Sequence, residues 1–225
     1  MLNPQLQTFT NIFKAKFAPK LQIKYKDQSL LMKIFGFLSK PFNPSFMTDF
    51  ITTMGNTIYF PRNYDFTDIE GTLDVLSHEF IHVLDYNKNP IFFSLSYILP
   101  QILAIVPLLL IIFFPKLWFL FLLLTILFAS PLPAYFRMKS ELRGYTMSLA
   151  TYYWLGYTIT ADLTNWVANE FTDSSYYFMW PFNNDIQRRV FNSQVDIRDK
   201  TILKDSAFNS VYQTWIASKL IKIDY

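Results

Sequence analysis

The chain has 225 residues, enough for one catalytic domain with a sizeable core but not for two independent ones. Its net charge of +3 comes from 20 Lys and Arg against 17 Asp and Glu mixed along the chain, which excludes the basic tract of a nucleic-acid binder and an acidic tail. The absence of cysteine excludes disulfides and thiolate metal sites, and the 52% of apolar residues, set against only 5 Gly, are concentrated rather than evenly spread.

From the N-terminus, Leu6, Phe9, Ile12, Phe13 and Phe17 recur on one helical face beside Lys14, Lys16 and Lys20. Leu30, Leu31, Ile34, Phe35 and Leu38 form a second apolar set. Both sets suit helices packed on a core or amphipathic helices lying at a bilayer surface. The first twenty residues lack the compact apolar run and cleavage site of a secretory signal. Asn56 to Arg62, β-branched and aromatic between Gly55 and a Pro61-Arg62-Asn63 turn, predicts a short strand, and Pro61 favours a sheet edge. The alternative is a hairpin strand that only packs on the following helix.

Thr67-Asp68-Ile69-Glu70 has the form of a capping box, and Asp65, Asp68 and Glu70 place negative charge where a helix N-terminus favours it. Ile69, Leu73, Leu76, Phe80, Val83 and Leu84 continue at helical spacing until Asn87, Asn89 and Pro90, which predicts a helix over 68–86. Inside it lies His78-Glu79-Phe80-Ile81-His82, with the only two histidines of the chain. The i, i+4 spacing puts both imidazoles on one face, where they can grip one Zn²⁺ while Glu79 reaches the water beside it.

No charged residue occurs between Lys88 and Lys116, or between Lys116 and Arg137. Each stretch reaches the 20 or so predominantly apolar residues that span a bilayer. The expected structure is a transmembrane helical hairpin over residues 91–135, with Ile91 to Phe114 entering, a Pro115-Lys116 turn, and Leu117 to Tyr135 returning. Pro100, Pro107, Pro131 and Pro133 predict kinks or a shallow insertion. An even number of crossings puts residues 1–90 and 136–225 on one side, and Lys88, Arg137 and Lys139 near the membrane ends make that side cytoplasmic. A pair of buried helices in a soluble core is the competing reading.

Beyond the hairpin, Met138, Leu142, Tyr145, Leu149 and Tyr152 recur at helical spacing, and further helices are expected near 160–170, 184–194 and 206–222. Turn-forming residues separate them at Thr172-Asp173-Ser174-Ser175 and at Pro181-Phe182-Asn183-Asn184. Tyr176, Tyr177, Phe178 and Trp180 read as packing, with a substrate groove or a membrane interface as alternatives.

A catalytic zinc takes three protein ligands and leaves one position open. With no third histidine, a carboxylate must complete the set, and Glu141 in Lys139-Ser140-Glu141-Leu142-Arg143-Gly144-Tyr145 is the leading candidate. A solvated Glu141 paired with Arg137 or Arg143 is the bland alternative. Asp85 competes as ligand, and Asp74 and Asp85 both share the histidine face, from which they can orient an imidazole. Tyr145, Tyr152, Tyr153 and Arg143 are candidate oxyanion donors, with Tyr145 foremost.

These segments resemble the gluzincins, zinc peptidases with HExxH on one helix and a glutamate ligand on a later one. Glu141-Leu142-Arg143-Gly144-Tyr145 is similar to the E-x-x-A-Y segment of the minigluzincins, with Gly144 in place of alanine. The layout, with membrane helices between HExxH and the glutamate, is similar to the integral-membrane HExxH proteases. Those carry an aspartate four residues after the ligand glutamate, where Tyr145 stands here. The resemblance implies a zincin-like domain, mostly α with a small β element, whose edge strand binds substrate backbone by strand addition. It implies an endopeptidase with His78, His82 and Glu141 on Zn²⁺, Glu79 as general base, and a peptide or protein as substrate. The rival expectation is a membrane-inserted structural or pore-forming protein of a larger, possibly viral, assembly, in which the metal site is vestigial or structural.

Overall fold

A computed structural model describes residues 3–40, 43–129, 133–173 and 179–220, without the side chains of 38, 97–104 and 128–129. Within them the chain is mostly helical with one three-stranded sheet, an α+β arrangement. The helix α1 (Pro4–Lys16) starts at Asn3, whose side chain accepts from the Gln5 N–H at 2.9 Å, with Pro4 in the first turn. Its Leu6, Phe9 and Phe13 are fully buried, and the Phe13 ring stacks on Phe80 at 3.8 Å. The first apolar set is therefore core.

The second set behaves differently. The strand β1 (Gln22–Tyr25) leads into α2 (Leu30–Ser39), capped by Ser29. Of its large apolar residues with described side chains, only Met32 is buried; Leu30, Leu31, Ile34, Phe35 and Phe37 face outward.

The strands β2 (Thr52–Met54) and β3 (Thr57–Phe60) form a tight antiparallel hairpin, and β1 pairs with β3 in parallel, giving the order β1-β3-β2. Gly55 turns the hairpin at φ +62°, a conformation that a side chain would strain. The strand expected over 56–62 is thus β3, but it is central rather than an edge. Pro61 lies just past Phe60, the last paired residue, so it removes no ladder hydrogen bond, and the edges are β1 and β2.

The helix α3 (Ile69–Lys88) carries the HExxH residues. Its N-cap is Asp68, which accepts from Gly71 N–H at 3.0 Å. The expected Thr67 capping box does not form, because the Thr67 hydroxyl and N–H both bond Asp65, at 2.7 and 2.9 Å. Asn89 then ends α3 and caps α4 (Pro90–Phe113), and after a turn at Pro115–Leu117 the chain returns as α5 (Trp118–Ala129). The hairpin therefore exists as two helices, but α5 has only 12 described residues, about 18 Å of helix against a hydrocarbon thickness near 30 Å. Among the described residues no helix is long and apolar enough to cross a membrane. The return helix expected to reach Tyr135 also ends early, since Tyr135 already opens the next one.

That next helix, α6 (Tyr135–Trp154), packs along α3, and α7 (Ala161–Thr172), α8 (Asn183–Arg198) and α9 (Ser206–Ala217) close the C-terminal half. The residues Ser174, Ser175, Tyr176, Tyr177 and Phe178 named in the sequence reading lie outside the described residues. One core runs from Leu6 to Trp215 and joins 1–90 to 136–225, taking no buried residue from between Val83 and Ala134 among the described ones.

Candidate metal centre

On α3 the rings of His78 and His82 lie 5.0 Å apart, and α6 brings Glu141 between them. The Glu141 Oε2 is 3.7 Å from His78 Nε2 and 3.8 Å from His82 Nε2. One ligand atom from each residue falls within 4.8 Å of the others. Tetrahedral bonds of about 2.0–2.1 Å separate ligand atoms by roughly 3.3 Å, so the cluster surrounds a Zn²⁺-sized space after a contraction of a few tenths of an ångström to about 1.5 Å. The nitrogen-to-oxygen distances are too long for hydrogen bonds. His82 and Glu141 are buried, and the Nδ1 of His82 has no hydrogen-bond partner among the described residues. Two imidazoles and a carboxylate form a donor set suited to Zn²⁺.

Charge at the cluster also favours a cation. Burial by itself raises the Glu141 carboxyl, but the His78 side chain, the His82 charge and Arg137 outweigh it and hold it at about 2. Burial lowers the His78 imidazole, yet Glu141, Glu79 and Asp74 more than reverse this and keep it above its ordinary value.

Gly144 explains the departure from alanine noted in the motif. A Cβ there would overlap the His78 imidazole at Nε2, Cε1 and Cδ2, so α6 approaches α3 closely enough for Glu141 to reach the histidines only because position 144 has no side chain.

The two aspartates on the histidine face part company. Asp74 bonds the Ser148 hydroxyl, which lies 3.4 Å from His78 Nδ1, so it reaches the imidazole through one intermediary. Burial pushes its carboxyl up, although Ser148 and His78 act in the opposite sense. Asp85 instead receives a bidentate bond from Arg143, at 2.7 and 2.9 Å, and Arg143 also binds Asp205 at 2.9 and 3.2 Å. This triad pins α3, α6 and the start of α9 and keeps Asp85 away from the cluster. Ser148 was missed in the sequence, although it stands seven residues after Glu141 and so on the same helical face.

Glu79 is buried, and its Oε2 accepts a 2.6 Å hydrogen bond from the hydroxyl of Thr53 on the edge strand β2. No sequence pattern marked Thr53, which belongs to a three-residue strand. Tyr145 sits edge-on to the His78 ring at 5.1 Å and is nearly enclosed, with Phe171 at 5.5 Å. Its hydroxyl bonds Glu170, whose carboxyl is raised by burial and by Asp173 against the pull of that bond. Of the other oxyanion candidates, Arg143 is held between its two aspartates, Tyr152 stacks on Tyr157 at 4.6 Å, and Tyr153 packs against the core.

No protein-family model matches the chain, and no curated protein or solved structure matches it significantly.

Proposed function

We propose that this protein is a membrane-anchored zinc endopeptidase of gluzincin type, a zincin-like domain interrupted by an apolar helical hairpin. The observation that carries the reading is the convergence of His78, His82 and Glu141 from two helices separated by that hairpin, with ligand atoms within 4.8 Å. With Zn²⁺ bound, the site has a Lewis acid able to polarise a peptide carbonyl and lower the pKa of water.

The chain's own residues supply the rest. Glu79 takes the proton of the attacking water and returns it to the leaving amine, and Thr53 holds one of its oxygens so that Oε1 stays available. Ser148 and Asp74 set the orientation of His78, and Tyr145 backs the same ring. The Tyr145 hydroxyl serves as an oxyanion donor only by leaving Glu170. The strand edge left for a peptide backbone beside α3 is β2.

The exposed apolar surface of α4 and α5, with Lys88, Arg137 and Lys139 at its base, supports anchoring in a lipid bilayer with both flanks on the cytoplasmic side. The same surface is what favours the second reading, a membrane-inserted structural or pore-forming component of a larger assembly with a structural metal.

Elemental analysis of protein purified without added metal decides first. The expected result is one equivalent of zinc, lost in His78→Ala and retained in Glu79→Gln, with hydrolysis of a peptide library abolished in both. Zinc retained in His78→Ala removes the site; zinc present with no hydrolysis in the wild type favours the structural reading.

A further inference from the structure

At about 100° per residue, the helix α2 divides into an inward stripe, an outward face and a margin between them. Met32 is buried, Gly36 and Ser39 on the same side are half-buried, and a Cβ at Gly36 would strike the Met47 side chain, so this narrow stripe packs on the 46–47 segment. That segment is itself fixed, since the buried Lys26 ammonium donates to the Phe46 carbonyl and lies 3.8 Å above the Phe46 ring. Leu30, Leu31, Ile34, Phe35 and Phe37 cover an arc of roughly 160° on the other side. All five are exposed, Leu30 at 74% and Phe37 at 77%, as far as Ile112 and Phe113 on the hairpin. Lys33 and Lys40, seven residues apart and both exposed, stand on one margin of that arc. Between Asp27 and Asp49 the chain has no Asp or Glu.

Charge and size select what covers this face. An acid-free helix with lysines at the rim of its apolar arc complements an anionic lipid surface, because the apolar side chains enter the acyl boundary while the lysine stems reach back to the phosphates. It does not complement a second copy of itself. Two such faces would bring their lysines together, and a helix about 15 Å long and 10–12 Å wide falls short of the roughly 800 Å² per partner of a stable interface. A bilayer needs no such area from α2 where another element already holds the domain at its surface. The sheet lies at the foot of the hairpin, where the Tyr86 ring stands between the Gly55 turn and Phe93 of α4, its centroid 6.3 Å from that of Phe93. Only β2, three residues or about 10 Å long, separates that turn from the segment that follows α2.

We propose that α2 is an interfacial membrane helix, a second lipid contact that lies in the plane of an anionic leaflet with Leu30, Ile34 and Phe37 inserted and Lys33 and Lys40 at the headgroups. The tethering step rests on the reading of the hairpin as a bilayer anchor. Two separate contacts restrict the tilt of the domain on the bilayer, which a hairpin alone leaves free.

The chain has no cysteine, so single-cysteine variants of the full chain each carry one environment-sensitive probe. Phe37→Cys and Ile112→Cys, labelled with a nitrobenzoxadiazole and reconstituted in vesicles of phosphatidylcholine and phosphatidylglycerol, report the two contacts separately, with Leu30→Cys as a second reporter of α2. The Phe37 probe is expected to shift to the blue and to be quenched most by nitroxide lipids at a depth of about 5–10 Å. Adding Lys33→Gln and Lys40→Gln should lower the ratio of docked to undocked α2 by about 30-fold, with melting in detergent unchanged because both side chains face outward. Quenching that the lysine pair does not change overturns the anionic assignment. A Phe37 probe left in water overturns the proposal, and if the Ile112 probe is quenched by lipid in the same vesicles the anchor reading survives. A lipid-quenched Phe37 probe beside an Ile112 probe in water upholds the α2 contact and overturns the anchor instead. A blue shift without lipid quenching that grows with protein concentration would mean that a second copy covers the face, and would also overturn the proposal.

Discussion

Two helix pairs, one inserted in the chain between the members of the other, solve opposite problems. The helices α3 and α6 have 20 residues each, with mixed sequences, and they pack together with Leu73, Leu76, Phe80, Met138 and Leu149 buried. Two of the polar residues inside α3 have side-chain partners, since Ser77 accepts from the Trp215 indole at 3.0 Å and Glu79 accepts from Thr53, whereas His82 Nδ1 has none among the described residues. The helices α4 and α5 are far more apolar, yet most of their described large side chains stay exposed, Ile112 and Phe113 at 74%. A core forms where polarity is asymmetric around a helix, so that one face points inward and the other meets water. A helix apolar all round has no face for water and calls for a non-aqueous neighbour.

The largest expected effect breaks the contrast at the hairpin. Moving Ile91, Ile112, Phe113, Phe119 and Ile126 into hydrocarbon at about 1.5–3 kcal/mol each gives roughly 10 kcal/mol, well beyond a single lipid chain. The full chain should float with neutral liposomes and resist carbonate extraction, and a chain with 90–133 replaced by a Gly-Ser linker should stay in the aqueous fraction. A full chain that is monodisperse without detergent would make the hairpin a protein-docking element.

On the other pair, Glu141→Gln should weaken zinc binding by about 10²–10⁴-fold, since apparent site energies of about 10–16 kcal/mol divide over three or four ligands. Competition with a chromogenic chelator measures it, and an unchanged affinity would remove Glu141 from the ligand set.

A buried charge distinguishes this half in a pH-dependent way. With a folded-state pKa of about 8 against 10.5 for an ordinary lysine, Lys26 holds fewer protons in the folded than in the unfolded chain between those values. Stability of the wild type relative to Lys26→Met should therefore rise as pH goes from 8 to 10.5, by at most about 3 kcal/mol, in paired denaturant titrations. A flat difference would place the ammonium in contact with water.

Smaller effects probe how closely α6 approaches α3. Gly144→Ala should cost about 1–3 kcal/mol by overpacking and displace His78, visible as a lower melting temperature together with a weaker zinc affinity. Ser148→Ala should lower zinc affinity by about tenfold with little change in melting, because it removes only the link from Asp74 to His78. Equal effects of both substitutions on fold and metal would mean that Ser148 acts through packing.

Much of the centre was legible because local periodicity carries it. The i, i+4 histidines are a property of one helix, Glu141 falls on the next long amphipathic run, and Asn89-Pro90 marks the break between α3 and α4. Less of the sheet was legible. Whether β3 is central depends on partners at Gln22–Tyr25 and Thr52–Met54, each only three or four residues long and without a strand pattern of its own. Asp74 and Asp85 look equivalent along α3, and only the neighbours met across the helix boundary, Ser148 for one and Arg143 for the other, give them different work.

The sequence by itself determined the helix that carries His78, Glu79 and His82, the apolar run of the hairpin and, for any metal held by the two histidines, a carboxylate as the third ligand, because helical spacing, runs without charge and residue inventory are local or countable. The tertiary structure decided that α1 is core while α2 faces outward, that β2 is the edge beside Glu79, and that Lys26 is buried against Phe46. Those outcomes depend on which surfaces meet, and burial is a property of the pair in contact rather than of either segment alone.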